Sequence, residues 1–141
     1  MFRHVGIVVK DLEKQLMFYK DFLGLEIYYD EIESGEFLSF ILNSPNSKAR
    51  IIKLGKNKET IVELLKFSNV HFLNFSKKTL CKQNNITHFA LTVGGLDELF
   101  LELSEKKVVF VSKPKISIDG KCKVCFCRDF EGNFIELVEK L

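Results

Sequence analysis

The sequence predicts an α+β fold of two paired βαβββ modules whose curved mixed sheets enclose a cleft, and three observations predict it. Arg3-His4-Val5-Gly6-Ile7-Val8-Val9 followed by Lys10-Asp11-Leu12-Glu13 has a near copy in Thr87-His88-Phe89-Ala90-Leu91-Thr92-Val93 followed by Gly94-Gly95-Leu96-Asp97-Glu98. His4 and His88 are 84 residues apart, and so are Leu12 and Leu96, which marks a duplicated unit rather than two chance histidines. Lastly, Ile61-Val62-Glu63-Leu64-Leu65 and Phe134-Ile135-Glu136-Leu137-Val138 each set one carboxylate inside a hydrophobic strand. Carboxylates in such runs are expensive to desolvate unless they are paired or bound to a cation. Four strands thus carry His4, Glu63, His88 and Glu136, and the repeat points to a divalent metal site.

Arg3 to Val9 is β-branched and apolar, as a strand requires. Asp11 is placed to cap a helix whose inward face is Leu12, Leu16, Tyr19 and Leu23, and Gly24 ends it. From Leu25 to Leu65 the pattern turns to period two or to short apolar runs. It predicts strands over Glu26 to Ile32, Phe37 to Leu42, Arg50 to Leu54 and Ile61 to Leu65, separated by Ser34-Gly35, Asn43-Ser44-Pro45-Asn46 and Gly55-Lys56-Asn57. Ser68 to Asn85 is less patterned and reads as a connector, with a short helix near Phe72 to Cys81. The unit then restarts with a strand from Ile86 to Val93 and a helix from Leu96 to Lys106. Strands follow over Val108 to Val111, Ile116 to Ile118, Lys123 to Arg128 and Phe134 to Val138, with Asp129 to Asn133 as a turn. The organisation is therefore a first module at 1–67, a connector at 68–85 and a second module at 86–141.

One helix covers one face of each sheet and leaves the other face to be covered. Side chains alternate along a strand, so His4 travels with Gly6 and Val8, and His88 with Ala90 and Thr92. If these are the cleft faces, both histidines look into it beside small residues that leave space. The result is an apolar cleft around a polar centre, as small-molecule sites usually are.

At 141 residues and 46% hydrophobic composition the chain has room for a real core. A formal charge of +2 with scattered lysines excludes the footprint of a nucleic-acid binder. No apolar stretch approaches the roughly 18 residues of a membrane helix and no signal-peptide pattern is present, so a cytoplasmic location is expected. Cys122-x-x-Cys125-x-Cys127 has a knuckle-like spacing, but Lys121 to Arg128 alternates like a strand. With Cys81, these read as small buried thiols of a reducing compartment.

Taken singly, each of the four site residues reads as an ordinary strand residue; as a repeated pair they read as ligands. Two neutral imidazoles and two carboxylates cancel the charge of a divalent ion. An octahedral nickel, cobalt, manganese or iron would keep two positions for water or substrate, and zinc could use a five- or six-coordinate version. A substrate carbonyl bound there would be polarised, making a proton on the adjacent carbon acidic and stabilising an enediolate, while a nearby carboxylate moves that proton. His71 and Glu36 read as surface or loop residues, although Glu33 or Glu36 at a cleft rim could contact substrate.

Four segments carry a resemblance to a known family: His4 to Leu12, Phe18-Tyr19-Lys20-Asp21-Phe22-Leu23-Gly24-Leu25, His88 to Val93, and Arg128 to Leu137. Together they resemble the vicinal oxygen chelate superfamily, which includes glyoxalase I, methylmalonyl-CoA epimerase, extradiol dioxygenases, and fosfomycin- and bleomycin-resistance proteins. The resemblance covers nearly the whole chain. It implies paired βαβββ modules with a metal held by His4, Glu63, His88 and Glu136, and it is closest to glyoxalase-type lyases and isomerases, with Glu136 and Glu63 as proton-transfer groups. Val8 and Phe67 stand where such enzymes carry the arginine and asparagine that bind glutathione, so whether glutathione takes part stays open. The substrate class is a small carbonyl compound or its adduct, and paired strand edges imply a homodimer whose cleft belongs to one chain or is shared by two. The other readings are a non-catalytic, resistance-type binding protein, a CoA-thioester epimerase and an extradiol dioxygenase of the same fold.

Overall fold

Val5–Val8 forms β1, and Asp11 then caps α1, Leu12–Leu16, by accepting the Lys14 N–H at 3.2 Å. A computed structural model of the chain describes residues 3–68, 70 and 86–141. It divides into two units, Met1–Asn74 and Phe75–Leu141. The expected short helix near Phe72 to Cys81, and Cys81 and His71 themselves, lie outside the described residues.

In the first unit α1 continues as a π-helical stretch, Met17–Phe22, followed by β2 (Glu26–Ser34), α2 (Glu36–Ile41), β3 (Lys48–Lys56) and β4 (Glu59–Phe67). The strands are ordered β1-β4-β3-β2, with β1 parallel to β4 and the other pairs antiparallel. Alternation puts Ile7, Ile52, Leu54, Val62 and Leu64 on one face, and all five are buried. The helix buries Leu12 and Tyr19, as the spacing predicts, but adds Gln15 and Phe18 in place of Leu16 and Leu23. The reason is the wide turn: Leu23 N–H bonds back to Phe18 O, a five-residue step that rotates the inward face and leaves Leu16 and Leu23 half-buried.

The strand expected over Phe37 to Leu42 is instead the helix α2. Gly35, at φ 103°, turns the chain out of β2, and Leu38 then packs with Ala49 and Ile51 beneath Tyr29, Leu65 and Phe67. A short unbroken apolar run satisfies a buried strand and a helical turn equally well, so periodicity could not separate them. Phe37, Phe40 and Ile41 are left exposed. Between β3 and β4 the turn residues Asn57 and Lys58 both take left-handed backbone, at φ 54° and 66°, matching the twist of the hairpin. The Tyr28 hydroxyl accepts the Lys58 N–H at 2.9 Å.

Arg50 on β3 makes a two-pronged pair with Asp30 on β2, both bonds at 2.7 Å. The guanidinium holds the Asp30 carboxyl below its usual value of 3.8. The unfolded chain therefore takes up that proton first, so the pair stabilises the fold above the unfolded pKa, and this is lost as pH falls through the lower folded one. Thermal melts below about pH 4 should fall less steeply for Asp30→Asn than for the wild type; equal slopes would contradict this.

The second unit contains β5 (His88–Thr92), α3 (Leu96–Glu105), β6 (Val109–Phe110), β7 (Lys115–Ile116), β8 (Cys122–Arg128) and β9 (Phe134–Lys140). Its order is β5-β9-β8-β6, with β7 also paired to β8, and β5 runs parallel to β9. The start of α3 has no cap of its own. The Glu139 carboxylate on β9 does that work, accepting the N–H groups of Gly95 at 2.8 Å and Leu96 at 3.3 Å. Lys123 reaches Asp97 at 2.6 Å, just as Arg50 reaches Glu13 at 3.4 Å. Arg50 and Lys123 are 73 residues apart, as are Glu63 and Glu136, so the duplication preserves an ion pair between a strand and the first turn of a helix. Asp129 is buried and organises the turn before β9, accepting from Glu131 N–H, Asn133 N–H and the Asn133 side-chain amide at 3.0, 2.8 and 2.8 Å. Cys125 and Cys127 alternate into the core of β8, where burial pushes their thiols up to about 11 and about 12.

Candidate metal centre

Strand register assembles a rank of residues across the first sheet: Tyr29 on β2 opposes Lys53 on β3, Lys53 opposes Glu63 on β4, and Glu63 opposes Gly6 on β1. These face away from the buried Ile52 and Leu64 side. His4 lies two residues before Gly6 and shares its face. Its Nε2 stands 3.4 Å from Glu63 Oε2. Gly6 keeps the space beside them open, since a Cβ there would sit 3.5 Å from Leu65 Cδ1 and 3.9 Å from Glu63 Oε2.

The second sheet repeats the arrangement, with Ala90 on β5, Glu136 on β9 and Phe126 on β8 in one rank. His88 Nε2 stands 3.5 Å from Glu136 Oε2, and its ring meets the Phe126 ring edge-on at 5.1 Å. Thr87 Oγ1 is 2.9 Å from His88 Nδ1. That hydroxyl engages one ring nitrogen and leaves Nε2 turned toward the carboxylate, the division of labour expected of a metal-binding imidazole.

Each histidine–carboxylate pair has a spacing compatible with two donors on one divalent ion. Two donors bound side by side at the roughly 2.0–2.2 Å of metal–nitrogen and metal–oxygen bonds lie about 2.8–3.1 Å apart at an octahedral ion and about 3.3–3.6 Å apart at a tetrahedral one, against 3.4 and 3.5 Å in the two pairs. Among the described residues no group of three or more His, Cys, Asp or Glu comes together to hold an ion. Each module therefore offers two donors, the same atoms at nearly the same distance.

The carboxylates are less enclosed than their apolar flanks suggest. Glu63 and Glu136 side chains are 15% and 25% exposed, because alternation turns them to the open face while Val62, Leu64, Ile135 and Leu137 fill the core. Lys53 escaped notice in the sequence. Its Nζ is 3.5 Å from Glu63 Oε1 and 5.0 Å from the centroid of the Tyr29 ring, and the visible signal was the alternation Ala49, Ile51, Lys53 along β3. Glu33 accepts the Tyr29 hydroxyl proton at 2.8 Å, and Glu36 sits in the first turn of α2.

Each unit is a βαβββ sheet that presents a histidine–carboxylate pair on the face away from its buried side, and sequence comparison identifies the family. The profile of the Glyoxalase/Bleomycin resistance protein/Dioxygenase superfamily matches residues 3–126, and the chain belongs to that superfamily. Over 97% of its length it is 31% identical to a lactoylglutathione lyase of Schizosaccharomyces pombe, and it spans 46% of that protein, about half. It is 28% identical to the uncharacterised protein YraH of Bacillus subtilis, covering 97% of this chain and 96% of that one. A glyoxalase family protein from Bacillus cereus shares the fold at a TM-score of 0.87 with 20% identity, over 99% of this chain and 93% of that one. No helix among the described residues is long and apolar enough to cross a membrane.

Proposed function

We propose that the domain is a metal-dependent lyase or isomerase of the glyoxalase type, acting as a homodimer on a small carbonyl compound, with His4, Glu63, His88 and Glu136 holding one divalent ion. The observation that supports this reading is the duplicated Nε2···Oε2 pair, at 3.4 Å in one module and 3.5 Å in the other. Each module supplies half of a ligand set, whether the halves that join come from one chain or from two. Nickel, cobalt, manganese, iron or zinc bound there would supply a Lewis acid that draws charge from the substrate carbonyl.

The chain's own groups divide the remaining work. Glu63 is shared between His4 and Lys53, whereas Glu136 contacts His88 and has the Phe126 ring on its other flank. Glu136 is accordingly the carboxylate freer to take a proton from the carbon beside the carbonyl and return it. Thr87 keeps the His88 ring oriented throughout. Gly6 and Ala90, without bulk, leave room for the substrate beside each carboxylate.

Proton exchange tests this without knowledge of the natural substrate. Nickel-loaded protein in heavy water should wash the carbon-bound protons out of dihydroxyacetone, followed by proton NMR, and Glu136→Gln should slow the exchange by about 10²- to 10⁴-fold, the range for a lost general base. Exchange equal to buffer containing free nickel would contradict the proposal. Ligand capture that is indifferent to chelation would instead favour a binding protein.

A further inference from the structure

Two groups of exposed apolar side chains stand on this chain, and their surroundings carry opposite charge. In the first unit Leu38 packs α2 onto Ala49 and Ile51, which turns Phe37, Phe40 and Ile41 outward at spacings of three and four. The two rings are 74% and 83% exposed. Residues 26 to 47 hold five acids and neither lysine nor arginine. Two of these acids stand beside the helix. Glu36 lies in its first turn, and Glu31 opposes Ile51 on the face of the sheet that α2 covers. The second unit offers the converse. Residues 106 to 123 hold six lysines and a single acid, Asp119. The turn between β7 and β8 is closed by Gly120 N–H on Ser117 O at 3.0 Å, and the Asp119 carboxylate is drawn back onto the Ser117 hydroxyl at 2.6 Å and the Lys121 N–H at 3.2 Å. Ile118 at its tip is fully exposed, Ile116 is 54% exposed, and Lys113 and Lys115 beside them are exposed as well.

We infer that α2 of one copy docks on the β7–β8 hairpin of a second copy, with Phe37, Phe40 and Ile41 covering Ile116 and Ile118 while Glu31 and Glu36 meet Lys113 and Lys115. The inference rests on the homodimer of the proposed function and gives it an interface; the metal site plays no part in it. Charge selects the pairing, because α2 against α2 would set acid on acid, and hairpin against hairpin lysine on lysine. Unlike surfaces close a dimer only when the contact is made twice, about a two-fold axis. The area suffices: the two exposed rings of the stripe present about 300 Å², and four patches of that size reach the roughly 1,200 Å² at the low end of stable interfaces. The hairpin's internal hydrogen bonds hold Ile118 in place before contact, which lowers the entropy lost on docking.

Charge reversal tests the pairing with no metal or substrate present. Sedimentation velocity should show the wild-type chain as a dimer. Glu31→Lys with Glu36→Lys, and separately Lys113→Glu with Lys115→Glu, should each weaken it by more than about 100-fold, as like charges brought together do. Mixing the two double variants should restore a dimer of one chain of each, since both of its contacts again join acid to lysine. Ile118→Asp, at a fully exposed position where folding is not at stake, should dissociate the dimer by itself. A wild-type chain that sediments as a monomer overturns the homodimer and this contact with it. A dimer that persists in Ile118→Asp or in both double variants, or that mixing fails to restore, overturns the contact and leaves the homodimer standing.

Discussion

His88→Ala should lower the affinity for nickel by more than the roughly 10- to 100-fold that loss of an outer partner costs, with the fold intact by circular dichroism. In the proposed ligand set the imidazole Nε2 and Glu136 Oε2, 3.5 Å apart, would form one half. Removing the ring leaves Glu136 beside the Phe126 ring with one donor where there were two. His4→Ala should do the same in the first module, and there the loss should be accompanied by a closer Glu63–Lys53 pair, since nothing then competes with Lys53 for the carboxylate. Glu13→Gln, on the exposed first turn of α1, is the control that should leave affinity unchanged. Competition against a chromogenic chelator reads all three. Wild-type affinity in His88→Ala would remove the second module from the site.

Gly55→Ala should be the most damaging alanine substitution among the glycines, costing about 3 kcal/mol, at the upper end of overpacking, and lowering the melting midpoint by roughly 10 °C for a chain of this size. A Cβ at that position would lie 1.7 Å from the Glu59 carbonyl oxygen and 2.7 Å from its carbon, and both are backbone atoms that no rotamer change can move. Gly55 sits at the irregularity where the β3–β4 register shifts, between Leu54 and Gly55. The same register sets Lys53 opposite Glu63 a few residues away. A variant that folds should therefore also bind nickel more weakly, and a melting curve superimposable on the wild type would refute the packing argument.

Much of this was legible in the sequence because duplication writes each feature twice. The 84-residue offset carried the histidines and helix starts, and the hydrophobic flanks of Glu63 and Glu136 revealed the matching strands. The structure turned both carboxylates onto the open face beside their histidines, as strand alternation requires. What stayed hidden depended on contacts between segments distant in sequence. Phe37 to Ile41 offers no period, and Leu38 declares a helix only once Ala49 and Ile51 are placed beneath it. The wide turn at Met17–Phe22 shifted the inward face of α1, an effect invisible to a count of threes and fours. Lys53 is one of many scattered lysines in the sequence, and only the register sets it opposite Glu63. Glu139, 43 residues beyond Leu96 in sequence, acts on α3 across the sheet.

X-ray absorption at the nickel edge of metal-loaded protein tests the central claim most directly. One ion per chain is predicted whether each site is built by one chain or shared between two, with two imidazole nitrogens and the remaining ligands oxygen. Uptake well below one ion per chain, a single imidazole, or sulfur in the coordination sphere would contradict it.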